Sequence, residues 1–224
     1  MDDLQSEKEQ LEEMRAWWSE YGRVVIAGIV IAIGGLIGYD QYTDSQTASQ
    51  VAASELFETL VIHVAGGDLD GAESVADDLV NNYSDTSYAA QSRLAMARLY
   101  MDQNRDQDAA DVLNELLAMG ADEGLTNIGR LRLARVLLYQ DKPQDVADLL
   151  EGTNVDAFAG LTDELLGDAY TALGHYDEAG DAYRRALADP SPNPTVDRAL
   201  VQMKLVDLPE TVAAESAVED GESE

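Results

Sequence analysis

The chain has 224 residues, and its 44 acidic against 14 basic side chains give it a net charge of −30. Charge of this sign repels phosphate, and no basic stripe of the needed extent occurs, so nucleic acid is excluded as a partner. The complete absence of cysteine agrees with an oxidising compartment in which no disulfide is needed. Acidity of this degree keeps a protein soluble and is a device of salt-adapted proteins.

Residues 1–22 have the pattern of a cytoplasmic amphipathic helix. Leu4, Leu11 and Trp18 recur every seventh residue, with Met14 and Tyr21 at the alternate step. Two roles fit so short a seam: contact with another protein, or a Trp-rich end resting on the bilayer surface. The run VVIAGIVIAIGGLIGY follows, Val24 to Tyr39, with no charge and no proline. As a helix it rises about 24 Å, slightly short of the roughly 30 Å hydrocarbon core. Trp17, Trp18 and Tyr21 suit the headgroup layer before it, and Arg23 can lay its stem along the apolar segment. The run is apolar on every side, unlike a core helix. An acidic region precedes it and no A-x-A-like site follows it directly, unlike a cleaved signal peptide. One transmembrane helix over residues 23–40 is therefore expected.

Orientation follows from the basic residues. Lys8, Arg15 and Arg23 lie before the span, and the next basic residue after it is Arg93. This places the N-terminus in the cytoplasm and the bulk of the chain across the membrane. Within the span Gly28, Ala32 and Gly35 share one face, beside a Gly34–Gly38 pair. Small residues let a second helix approach closely, which makes this face a candidate contact; glycine is also simply common in membrane helices.

After Asp40 polar residues return, and the helix either runs on or breaks there. A repeat then emerges, clearest in LGDAYTALGHYDEAGDAYRRALADPSP. Leu166, Gly167, Tyr170, Gly174, Tyr176, Ala179, Tyr183, Ala186 and Pro190 stand at the offsets of a tetratricopeptide repeat. The proline is one residue early, and Asp163 replaces the expected tryptophan. Small Gly167 and Ala179 suit a close crossing of two helices, large Tyr170 and Tyr183 fill the space beside them, and Gly174 allows a left-handed turn. Three weaker copies precede it. They are anchored on Leu60, with Gly67 and Ala72; on Ala97, with Asn104 and Ala109; and on Ala134, with Asp141 and Pro143. Repeats then begin at Ala53, Ala90, Asn127 and Gly160, close to the ~34-residue period of this repeat.

A last amphipathic segment, Thr195 to Asp207, carries Val196, Ala199, Leu200, Met203 and Val206 on one side, and that side is expected to cap the solenoid. Residues 41–208 thus read as a periplasmic domain of about four repeats with a capping helix. Residues 209–224, acidic and without a base, read as a disordered tail. The expected fold class is all-α: a single N-terminal transmembrane helix followed by a tetratricopeptide-repeat-like helical solenoid.

No nucleophile with a base, no P-loop and no dinucleotide fingerprint occurs. His63 and His175 belong to different repeats and do not suggest a shared metal. DLDGAE, Asp68 to Glu73, lacks ligands of a calcium loop and reads better as an inter-helix turn, with Asp70 and Glu73 as a capping box. The chain is accordingly read as no enzyme, with no catalytic residue, cofactor or metal. One polar pattern stands out. Arg93, Arg98, Arg130, Arg132 and Arg135 gather on the first helices of the second and third repeats, and Arg98 and Arg135 share repeat position 9, which faces the groove of such solenoids. Either they form a basic groove for an acidic partner segment, or neighbouring carboxylates neutralise them.

The stretch EEMRAWWSEYGRVVIAGIVIAIGGLIGYDQY, Glu12 to Tyr42, together with RLRLARVLLYQDKPQDVADLLE and LLGDAYTALGHYDEA, resembles the YfgM-like family of ancillary SecYEG translocon subunits. The W-W-x-x-x-G run entering the Gly-rich apolar helix is its most specific part. The resemblance implies a single-pass protein of the cell inner membrane, N-terminus in the cytoplasm, repeat domain in the periplasm. It implies contact with inner-membrane lipid and association with the SecYEG translocon and with a membrane-anchored periplasmic chaperone of the prolyl-isomerase type. The implied function is an adaptor that links the channel to periplasmic chaperones and aids handover of translocated proteins. The residues by themselves leave a second reading open, a scaffold for cell-wall or division complexes with no role in secretion.

Overall fold

The computed structural model describes residues 3–153, 156–189 and 195–209. Among these the regular structure is entirely helical. The chain divides into two compact units, Met1–Ala52 and Ala53–Glu224.

Helix α1, Asp3–Gly66, runs through the polar stretch after Asp40 without a break. The hydroxyls of that stretch turn back onto the helix. Thr43 Oγ1 donates to the Tyr39 carbonyl at 2.7 Å and Thr47 Oγ1 to the Thr43 carbonyl at 2.9 Å, so no backbone group is drawn away. In the first unit the apolar side chains face outward, with Val24, Ile31 and Leu36 each at least 70% exposed, and α1 is long and apolar enough to cross a membrane. The Trp17 and Tyr21 rings lie tilted against one another, with centroids 5.8 Å apart. The Trp18 indole lies over Gly22, where an added Cβ would come within 3.2 Å of it.

The second unit is a row of helix pairs. The end of α1 is followed by α2 (Leu69–Asn82), then come α3 (Ser87–Asp102) with α4 (Asp106–Ala118) and α5 (Glu123–Tyr139) with α6 (Pro143–Leu150). A 3-10 turn at Asp156–Phe158 leads to α7 (Ala159–Leu173) with α8 (Tyr176–Ala188), and α9 (Arg198–Val206) closes the row. Successive helices pack on one another from α2 to α9, and α5 also packs on α7. Within each pair the turn contains a left-handed residue: Gly67, Asn104, Asp141 and Gly174, with φ of 70°, 59°, 58° and 78°. Each lies seven residues after Leu60, Ala97, Ala134 or Gly167, all buried. Asn and Asp tolerate this conformation better than other residues with a Cβ. Twelve residues beyond those anchors, Ala72, Ala109, Val146 and Ala179 have no exposed surface. The closest crossing is the last: a Cβ on Gly167 would lie 2.4 Å from the Tyr183 ring. At the place of the usual tryptophan, Asp163 pairs instead with Arg185 of α8 at 2.8 Å.

Two expectations are corrected. The start of α2 is capped by Asp68, whose side chain accepts from the Gly71 N–H at 3.2 Å, and not by a box of Asp70 and Glu73. Glu73 is engaged elsewhere, accepting from the Tyr100 hydroxyl at 2.8 Å. In the capping segment Val196 is buried as expected, but helix α9 turns a different side inward. Val201 is fully buried, and Leu205 and Leu208 pack with it against Ala179 and Tyr183, whereas Leu200, Met203 and Val206 are exposed. Lys204 explains the rotation: its Nζ sits 2.8 Å from both Glu164 and Asp168 of α7. Satisfying two partly buried carboxylates requires the stripe that carries the lysine to face the core. The early Pro190 and the expected disorder of residues 210–224 lie outside the described residues, as does the side chain of Leu4.

Candidate functional site

The site is built where α3 and α5 lie side by side. In the second and third repeats the buried alanine seats the first helix on the second, so the next residue projects from the face formed by the first helices. Arg98 follows Ala97, and Arg135 follows Ala134. Together with Arg132 they surround a cleft of about 280 Å³ whose floor is apolar, made by Ala97, Met101, Leu113 and Val136.

The five arginines separate by environment. Arg93 is largely buried and serves the fold, within 3.4 Å of Asp77 and 3.1 Å of Glu115. Arg130 donates to Asn127 at 2.6 Å. Arg98 is 75% exposed, and its one carboxylate neighbour, Asp102, is 3.7 Å away. Arg132 is exposed at the cleft and donates to the Leu94 carbonyl at 3.1 Å. Loss of hydration lowers its pKa, as do the like charges of Arg135 and Arg98. Neither Arg132 nor Arg135 has an ion-pair partner among the described residues. Three guanidiniums thus face one apolar-floored cleft, and among the described residues Asp102 beside Arg98 is their one ion-pair partner, in a chain where acids outnumber bases about threefold. Arg132 is the groove residue that repeat-position reasoning did not single out. Its signal is its place one turn before Arg135 on α5.

At the same repeat position Asp168 reverses the sign in the fourth repeat, but Lys204 neutralises it there. Burial disfavours the ammonium's charge, yet the hydrogen bonds to Asp168 and Glu164 outweigh it and raise its pKa. The arrangement can bind carboxylates bidentately through Arg98, Arg132 and Arg135 while an apolar side chain rests on the floor. His63 is bonded to the capping Asp68 at 2.7 Å, and His175 stacks on Tyr170. Among the described residues no group of three or more His, Asp or Glu is placed to hold a metal.

The small-residue face of α1 is open. A Cβ added at Gly28, Gly34, Gly35 or Gly38 would meet nothing within 4 Å. Gly28, Ala32 and Gly35 therefore leave a shallow strip between exposed Ile and Val side chains.

A family described as a tetratricopeptide repeat-like domain matches residues 15–210. The chain is 26% identical over 208 residues to a protein of Escherichia coli K12 named ancillary SecYEG translocon subunit, covering 93% of this chain and 99% of that one. It is 31% identical over 205 residues to a protein of the same name from Neisseria gonorrhoeae, covering 90% and 97%, and 26% identical over 203 residues to one from Haemophilus influenzae, covering 90% and 97%.

Proposed function

Because the chain belongs to the tetratricopeptide repeat-like family of ancillary SecYEG translocon subunits, we propose that it is a non-enzymatic, membrane-anchored adaptor of the SecYEG translocon in the cell inner membrane. The observation that carries this reading is the similarity to subunits of that name along nearly their whole length. In this reading residues 1–22 lie in the cytoplasm, residues 23–40 span the bilayer and residues 41–208 lie in the periplasm. The asymmetry of Lys and Arg about the span supports that orientation.

The repeat domain links the channel to a membrane-anchored periplasmic chaperone of the prolyl-isomerase type and helps hand over emerging chains. The groove of Arg98, Arg132 and Arg135 receives an acidic segment of the partner, supported by the scarcity of carboxylates there: among the described residues Arg132 and Arg135 have no ion-pair partner and Arg98 has only Asp102 at 3.7 Å. Each exposed contact contributes about 1 kcal/mol. The strip of Gly28, Ala32 and Gly35 docks on a helix of the channel or chaperone, because shape is what drives association within lipid. The test of the groove is the double change Arg98→Glu and Arg135→Glu, with partner recovery measured by quantitative mass spectrometry after solubilisation. Both side chains are outside the core, so the domain is expected to stay folded while recovery falls. Wild-type recovery of every partner by the folded variant would refute the groove. Photo-crosslinkers at Gly28 or Ala32 are expected to capture a protein helix and one at Ile29 mainly lipid; equal capture from both faces would refute the strip.

A further inference from the structure

Residues 210–224, PETVAAESAVEDGESE without its first proline, carry six carboxylates and no basic residue. We infer that this acidic segment of the same chain docks in the groove of Arg98, Arg132 and Arg135 and must be displaced before a partner segment can enter. The inference rests on the reading of the groove as a site for an acidic segment and adds how that site is regulated.

Three observations carry it. The first is chemical fit. Val218 is flanked by Glu215, Glu219, Asp220 and Glu222, an apolar side chain among carboxylates, and the groove offers an apolar floor among guanidiniums. The second is charge. A segment this acidic is repelled by a chain of net charge −30. Arg132 and Arg135 face the cleft with no carboxylate partner among the described residues, and Arg98 has only Asp102 at 3.7 Å. Elsewhere in the repeats Arg93, Arg105, Arg185 and Lys204 already hold carboxylates.

The third is reach. Lys204 of α9 touches α7 through Glu164 and Asp168, and α7 packs on α5, which carries Arg132 and Arg135. Packed helix axes lie about 8–10 Å apart, and α9 packs on α8, α8 on α7 and α7 on α5, so by helix spacing the groove is within roughly 30 Å of α9. The nine residues from Pro209 to Val218 extend to about 30 Å. A segment tethered at that distance sits at roughly millimolar effective concentration, enough to compete with a weakly held partner segment.

The chain contains no cysteine, so paired spin labels can be placed cleanly. The full chain in mild detergent, labelled at Ser216→Cys and Tyr139→Cys, is examined by pulsed electron paramagnetic resonance at low salt. A narrow short-distance population is expected. It should be lost in Arg98→Gln/Arg135→Gln, and equally in Glu219→Lys/Asp220→Lys/Glu222→Lys, which leaves the repeat domain untouched should the arginine variant misfold. One broad distribution shared by the parent and both variants would overturn the inference. Partner recovery by the same variants separates the two claims. If distances change while recovery is indifferent to the arginines, partner binding in the groove fails and docking of the chain's own segment stands. If recovery falls while distances never change, the reverse holds.

Discussion

Gly167→Ala is expected to destabilise the repeat domain, although in most helices the same change stabilises. Alanine is favoured over glycine in a helix interior by about 1 kcal/mol. Here the new methyl would lie 2.4 Å from Cε1 and 2.5 Å from Cδ1 of Tyr183. Carbon atoms prefer about 3.5–4.0 Å, so the ring has to retreat by more than about 1 Å. It has nowhere to go, being 2% exposed. Its hydroxyl donates to Asp168 at 2.8 Å and lies 3.3 Å from Thr171 Oγ1. Overpacking such a site costs about 1–3 kcal/mol, and losing a hydrogen bond to a charged group a further 1.5–3 kcal/mol if the ring tips. Against the helix gain the net loss is up to about 2 kcal/mol if the ring keeps its hydrogen bond and about 1.5–5 kcal/mol if it tips. At about 2–4 °C per kcal/mol for a domain of this size, Tm falls by up to roughly 20 °C. Thermal unfolding of the full chain in detergent, followed by circular dichroism, reads it directly. The companion Gly167→Ala/Tyr183→Leu removes the ring edge and should recover part of the loss. A raised Tm in the single variant would show that the two helices do not cross closely at Gly167.

Three further outcomes follow from the packing and the sequence. Lys204→Ala strands two partly buried carboxylates and should cost about 1.5–3 kcal/mol in urea unfolding, with no loss if α9 instead buried its Leu200 and Met203 side. Tyr183 has its pKa raised by burial, assisted by the hydrogen bond to Asp168. Its stabilising effect is therefore complete below the unfolded value near 10 and is lost as pH rises toward the higher native one, so Tyr183→Phe should be weaker at pH 7 but show a shallower alkaline decline; identical alkaline limbs would contradict this. A cysteine at Ser45 should react with an impermeant reagent from the periplasmic side and one at Ser6 should not; the opposite pattern would invert the membrane topology.

What could be read in advance follows from which constraints are local. The left-handed turns at Gly67, Asn104, Asp141 and Gly174 and the small residues seven positions before three of them are demands of backbone geometry and close crossing, and both leave a periodic trace. The apolar run of α1 is equally plain, because lipid requires it along the whole segment. The inward face of α9 was not legible. Its two candidate stripes are similarly apolar, and the choice rests on Glu164 and Asp168, some forty residues earlier in sequence, meeting Lys204. The cap of α2 was misplaced for a related reason: several acids in DLDGAE fit a cap, and Glu73 is drawn away by Tyr100 of the next repeat. In the groove, Arg98 and Arg135 were visible through their shared position. Which of the five arginines lack carboxylates was not, since Asp77 and Glu115 reach Arg93 from neighbouring helices.

The central claim is that this chain is a subunit accessory to the translocon and not an envelope scaffold. Its most direct test is to purify the full chain from its native membranes in mild detergent and quantify what accompanies it. The account predicts the SecYEG channel at near-stoichiometric yield together with a membrane-anchored periplasmic chaperone. Recovery of cell-wall or division proteins with the channel at background would contradict it.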